Sequence, residues 1–230
     1  MSVADNLERV RQRIAAACAQ SGRDPAAVRI LAVSKTHPAA AVEEAIAAGV
    51  DAIGENRVQE AAAKRPAVRG RARWHLVGPL QRNKAKNAIE LFDLIETIDR
   101  AELADRLEAL LAARPQRLPV FLEVNVGGEE QKSGVAPAGA AALAGHLLES
   151  CPHLRLEGLM TVPPYHPEPE RSRPHFAALR QLAAELAARF ALPPLELSMG
   201  MSEDYAVAVE EGASWVRLGR ALFGARRDAT

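Results

Sequence analysis

The 230-residue chain has an apolar content of 48% and carries 29 basic and 29 acidic side chains. That balance leaves no global field for nucleic acid or an anionic membrane surface, and no run approaches the ~18 apolar residues of a membrane span. Cys18 and Cys151 have no metal-ligand spacing and are too few for a disulfide scaffold, so the reading is a cytoplasmic protein with reduced thiols and no metal.

The N-terminus lacks a signal-peptide core and opens instead on a helical face of Val3, Leu7, Val10, Ile14 and Ala17, ending near Gly22. A β-α alternation then runs to the end. Strands are expected over 28–34, 51–54, 74–77, 94–98, 120–126, 156–161, 195–198 and 215–218. Helices are expected over 38–48, 56–64, 82–90, 100–113, 137–150, 176–190 and 204–211, with a last short one near Ala221. Pro38 suits a first helical position, Gly49 and Gly212 act as stops, and Asp99 is placed as a cap. The stretch 162–174 holds five prolines and no clear element, a length more typical of functional loops than of tight connections.

Eight such units at this length predict a (β/α)8 TIM-type barrel with an extra N-terminal helix, one domain over 1–230. A doubly wound open sheet is the rival, but the first β-α turn is Lys35-Thr36-His37-Pro38, with no glycine-rich fingerprint and no P-loop.

Barrel chemistry collects at the carboxyl ends of the strands. Those ends read Lys35, Glu55-Asn56, His75 with Gly78, Thr97, Asn125, Met160-Thr161, Ser198 to Ser202, and Arg217 with Gly219-Arg220. Lys35 ends a strongly apolar strand. An ammonium is costly to desolvate, and a lysine held neutral is an amine nucleophile toward aldehydes. The plainer reading is a lysine that marks a strand end and reaches to solvent. Ser198-Met199-Gly200-Met201-Ser202 and Gly219-Arg220 supply hydroxyls, glycines and a cation just before two late helices, where this fold commonly seats phosphate. The plainer reading is a pair of turn glycines. A lysine on the first strand plus a phosphate seat at the last two describes a pyridoxal 5'-phosphate site. Arg217 then lies near the pyridine nitrogen or, as the alternative, serves as an inter-strand ion pair.

Several stretches in order strengthen this reading. They are Ala32-Val33-Ser34-Lys35-Thr36, Gly54-Glu55-Asn56 with Val58-Gln59-Glu60, and Trp74 to Gln81 with Asn83-Lys84. Lys132-Ser133-Gly134, Gly158-Leu159-Met160, Ser198 to Ser202 with Asp204, and Val216 to Gly219 with Phe223-Gly224 complete the set. On these the chain resembles the pyridoxal-phosphate homeostasis protein family, single-domain relatives of the alanine racemase barrel. The resemblance implies pyridoxal 5'-phosphate bound as a Schiff base on Lys35. It implies Asn56 against the ring, Arg217 facing the pyridine nitrogen, and Ser198, Met199, Gly200, Ser202 and Gly219 around the phosphate. His75 and Arg220, at their strand ends, complete the expected cofactor-binding set, with two outcomes open for Arg220: a charge-assisted contact to the phosphate or, the favoured one, a side chain that points to solvent.

It further implies a cofactor holder acting in vitamin B6 and amino-acid balance, not an enzyme, expected as a monomer that passes the cofactor to acceptor enzymes. Arg57, Arg82 and Arg220 depart from the pattern, the last removing a hydroxyl expected near the phosphate. Two other functions stay open. One is a racemase-like enzyme, for which Tyr165 and Tyr205 are the only tyrosines. The other is a regulatory protein that binds a partner through the proline-rich loop.

Overall fold

In the computed structural model, residues 2–129 and 131–224 are described. The chain starts with α1 (Val3–Ser21), whose first turn is held by a capping box. Ser2 Oγ accepts from Asp5 N at 3.1 Å, and Asp5 Oδ2 accepts from Ser2 N at 2.9 Å. The units that follow are β1 (Arg29–Val33), α2 (Ala39–Ala48), β2 (Ala52–Glu55), α3 (Val58–Lys64), β3 (Arg73–Leu76), α4 (Ala85–Leu91) and β4 (Leu94–Ile98). Next come α5 (Ala101–Leu111), β5 (Leu118–Glu123), α6 (Pro137–Ser150), β6 (Leu154–Met160), α7 (Arg173–Phe190), β7 (Glu196–Ser198), α8 (Tyr205–Glu210), β8 (Trp215–Leu218) and α9 (Arg220–Phe223).

Every strand pairs in parallel with its sequence neighbour, and β8 closes on β1 through Arg29–Trp215 to Ala32–Leu218. The expected (β/α)8 barrel with an extra N-terminal helix is the fold observed. Two apolar layers support it. Inside the barrel, Leu31, Ala52, Leu94, Phe121, Met160 and Trp215 pack together. Outside, residues such as Leu76, Ile95, Leu122 and Leu159 meet the helical ring. α1 packs across α8, α9 and α2, with Asn6 Nδ2 donating to Leu222 O at 2.7 Å.

Some boundaries differ from expectation. β5 ends at Glu123, because the next residues leave the sheet: Asn125 N donates to Val135 O, and Val126 N folds back onto Val124 O. Asp99 does not cap α5. Arg100 occupies that position with no side-chain cap, and Asp99 pairs with it at 2.5 Å. The helix expected over 82–90 opens with a 3-10 turn, Arg82–Lys84, before α4. The proline-rich stretch contains a 3-10 turn, Pro169–Ser172, and α7 starts directly after it with Pro174 in its first turn, where the missing N–H costs nothing.

Candidate functional site

A cavity of about 650 Å3 opens at the carboxyl ends of the strands. Its wall includes Val33 at the end of β1 and Lys35 after it, Asn56 after β2, Val77 after β3, Val162 and Tyr165 after β6, Met201 to Glu203 after β7, and Arg217, Gly219 and Arg220 from β8 onward. Lys35 is the one lysine of that wall among the described residues, and it is half-buried.

The turn that presents Lys35 is built from its neighbours. Ser34 O accepts from His37 N at 3.0 Å and from Lys64 Nζ at 2.8 Å. Ser34 Oγ donates to Glu55 Oε1 at 2.5 Å, and Lys64 also pairs with that carboxylate. Glu55 is fully buried. Burial pushes its carboxyl up, and the Lys64 and Ser34 hydrogen bonds oppose that rise. Thr36 sits at φ +66°, a left-handed conformation that costs a β-branched residue on the order of 1–3 kcal/mol. Glu60 Oε2 holds its amide at 3.2 Å, and the His37 ring stacks on Phe223 at 4.7 Å. Lys35 is thus fixed by residues from β2, α3 and α9. Asn56 is fixed in turn by Gly78: a Cβ there would lie 2.2 Å from Asn56 O, so only glycine lets the third strand end pass so close.

Beneath the cavity the barrel is polar. Arg217, 5% exposed, donates from Nη1 to Ser198 Oγ at 2.8 Å and from Nη2 to Thr161 O at 2.6 Å. Ser198 Oγ donates to Glu96 Oε2 at 2.5 Å, and Glu96 Oε1 faces His75 Nδ1 at 2.7 Å. The His75 ring meets Trp215 edge-on at 4.8 Å. Burial lowers Arg217 from its ordinary value, while Glu96, Asp204 and Glu123 favour its charge. Glu123, at the end of β5, is buried, and its Oε2 has no hydrogen-bond partner among the described residues. Burial and then Asp99 push its carboxyl up to about 7, against the pull of Arg217.

Six of the ten expected site residues therefore line the cavity: Lys35, Asn56, Ser202, Arg217, Gly219 and Arg220. His75, Ser198, Met199 and Gly200 lie behind its wall. The Ser198 hydroxyl is engaged by Glu96 and Arg217, and Met199 is fully buried with its amide on Trp215 O. Gly200, at φ +89°, shapes the turn, since a Cβ there would lie 2.5 Å from Ala208 Cβ. Ser202 Oγ accepts from Ala221 N at 3.1 Å and so ties the two late loops together. Arg220 is 65% exposed and pairs with Glu203 at 2.6 Å. In place of the inter-strand ion pair that is the alternative for Arg217, its hydrogen-bond partners are a hydroxyl and a backbone carbonyl, and the residue also lines the cavity.

Sequence reasoning passed over Lys64, Glu96, Glu123 and Glu203. A signal existed for two of them: Glu96 and Glu123 are carboxylates inside otherwise apolar strands, a costly placement that calls for a partner.

The model of the alanine racemase N-terminal domain matches residues 4–227. The pyridoxal phosphate homeostasis protein of Pseudomonas aeruginosa is 46% identical over 98% of this chain and 96% of its own length. That of Aquifex aeolicus is 42% identical over 99% and 100%. The chain belongs to the pyridoxal phosphate homeostasis protein family. Among solved structures, PipY of Synechococcus elongatus with pyridoxal phosphate bound matches with TM-score 0.83 and 37% identity, over 97% of this chain and 100% of that one. D-threonine aldolase from Filomicrobium marinum, at 18% identity and TM-score 0.77 over 62% of its chain, shares the fold. Pyridoxal phosphate homeostasis proteins are thus close to this chain over their full length, whereas that aldolase extends well beyond the barrel. Among the described residues no helix is long and apolar enough to cross a membrane.

Proposed function

We propose that this member of the family binds pyridoxal 5'-phosphate in the barrel mouth, holds it in the cytoplasm and passes it to acceptor enzymes, with no turnover of its own. The observation that carries the reading is one lysine on a cavity wall that also carries Ser202, Gly219 and Arg220. The cavity, at about 650 Å3, is within the usual range for a cofactor-sized ligand. When bound, the cofactor supplies an aldehyde that an amine can capture. Lys35 provides that amine, and the Ser34–Glu55–Lys64 contacts hold the turn that presents it. Asn56 borders the ring. Ser202, Gly219 and Arg220 line the phosphate end.

Arg217 faces the ring nitrogen. A guanidinium only donates, so it leaves that nitrogen unprotonated and the ring a poor electron sink. This, and the relatives' names as homeostasis proteins, supports storage over catalysis. The two buried free cysteines fit a reducing compartment, and one family model matched over residues 4–227 fits a one-domain monomer.

The test is the colour of the purified protein. Wild type is expected to absorb in the visible after dialysis and to carry a borohydride-fixed adduct on Lys35. Lys35→Ala is expected to lose both. An adduct that stays on another residue as the main species rejects the assignment. The rival racemase reading has one observation in its favour, the Tyr165 phenol on the cavity wall. Tyr205 is 4% exposed and belongs to the core. Rapid racemisation of alanine by the pure holoprotein, lost in Tyr165→Phe, would replace the storage reading.

A further inference from the structure

The outer face of the barrel carries a second group of chemically distinctive side chains. Asp105 projects from the first half of α5, His146 lies in the second half of α6, and Cys151 is the residue that ends α6. The two helices are neighbours in the ring. His146 Nε2 lies 2.6 Å from Asp105 Oδ1, and Cys151 Sγ lies 4.0 Å from the same oxygen. The donor atoms of all three residues fall within 4.8 Å of one another. None of the three lines the cavity.

The plain account is an ion pair between two surface helices beside a small buried cysteine. The side chains of His146 and Asp105 are 32% and 55% exposed, and such pairs contribute only ~0–1 kcal/mol. The pair converges on a thiol that is 1% exposed and whose Sγ lies within weak hydrogen-bond reach of the same Asp105 oxygen. Oxygen, nitrogen and sulfur donors from carboxylate, imidazole and thiolate are the set that zinc and its neighbours in the first transition row bind. The three donor atoms already lie within 4.8 Å of one another; His146 and Asp105, now hydrogen-bonded at 2.6 Å, would turn apart to reach tetrahedral positions at ~2.0–2.3 Å from a zinc ion.

Charge and surroundings agree. One carboxylate and one thiolate neutralise a dication, and the imidazole coordinates without charge. Cys151 is held in place by its own backbone, with N–H on Leu147 O at 3.1 Å and C=O accepting from Leu154 N at 2.9 Å. Glu108, one turn along α5, is committed to His153, accepting from its amide at 2.9 Å and facing Nδ1 at 2.6 Å. Glu108 is therefore not available as a fourth donor. Sequence spacing alone did not show this group, because its ligands come from two helices.

We propose that Asp105, His146 and Cys151 bind a zinc-type divalent cation that ties α5 to the C-terminal end of α6. Three bonds form to the metal, through Oδ1, an imidazole nitrogen and Sγ. The thiol proton, and any proton held between His146 and Asp105, leave to solvent. No electron moves. The site is independent of the barrel-mouth cofactor, so its test stands whether or not that reading holds.

The probes are Co2+ and Zn2+ added to the full-length protein freed of metal by a chelator. Co2+ is expected to bind one to one with a thiolate-to-cobalt charge-transfer band, which Zn2+ bleaches. Zn2+ is also expected to raise the thermal midpoint. Cys151→Ser should lose the band, and Cys18→Ser should keep it. His146→Ala and Asp105→Asn change exposed positions and should each weaken Co2+ binding at least tenfold; they carry the test if Cys151→Ser does not fold. The proposal is overturned if Co2+ gives no charge-transfer band, if the band survives in Cys151→Ser, or if neither surface variant weakens it.

Discussion

Arg217 Nη1 donates to Ser198 Oγ at 2.8 Å, so two residues expected at opposite ends of a bound cofactor share one hydrogen bond beneath the cavity. The same hydroxyl donates to Glu96, which makes Ser198 the link between a buried cation and a buried carboxylate. That geometry changes what its removal should do.

Ser198→Ala strips a partner from both Glu96 Oε2 and Arg217 Nη1. Leaving buried polar groups unpaired costs ~1–3 kcal/mol, and denaturant unfolding is expected to show a loss in that range. The ratio of affinities for pyridoxal 5'-phosphate and unphosphorylated pyridoxal is expected to stay within about twofold of wild type. A tenfold fall in that ratio, ~1.4 kcal/mol, would put the Ser198 hydroxyl on the phosphate instead.

Glu123 sets a pH dependence whose sign follows from its raised pKa. Its carboxyl titrates near 7 in the fold against an ordinary 4.5, so between those values the folded state holds a proton that the unfolded chain has lost. Its contribution to stability is fully present below pH 4.5 and is lost as pH rises through 7. The raised Glu55 carboxyl acts in the same direction. Glu123→Gln keeps the shape without the charge. It should flatten this decline and stabilise the protein above pH 7, by on the order of 3 kcal/mol at most. Equal pH slopes for wild type and variant in chemical denaturation would remove Glu123 from the account.

Thr36 tests whether backbone strain positions Lys35. Thr36→Gly relieves the cost of φ +66° but gives the unfolded chain more freedom, so the two effects offset and stability is expected to move by less than about 1 kcal/mol. The looser turn should still weaken cofactor binding by about tenfold, read as faster loss of visible absorption on dialysis. Binding equal to wild type would mean that Ser34, Glu55 and Lys64 hold the turn without help from the strained residue.

Arg220 is held by Glu203 at the cavity rim, and an exposed pair of this kind is worth ~0–1 kcal/mol. Arg220→Thr is expected to leave unfolding unchanged within about 0.5 kcal/mol. Cofactor affinity should fall by less than about threefold at low and high salt alike. A loss of about tenfold that shrinks at high salt would show that the guanidinium exchanges Glu203 for the phosphate.

What the sequence by itself determined was the order and kind of elements. Runs such as 94–98 and 215–218 are mostly apolar, bounded and strand-length, and they coincide with β4 and β8. Lys35 was legible for the same reason, as a charge placed at the end of such a run. Tertiary structure decided which atoms meet. Glu96 and Ser198 are 102 residues apart and touch because barrel closure aims β4 and β7 at one interior; Asp105 and Cys151 meet because α5 and α6 are adjacent in the ring. Periodicity and turn chemistry depend on neighbours along the chain. Register, burial and the pairing of polar groups depend on all eight strands at once, so Ser198, Met199 and Gly200 could be placed at the right strand end from sequence but not assigned to the cavity wall or to the packing behind it.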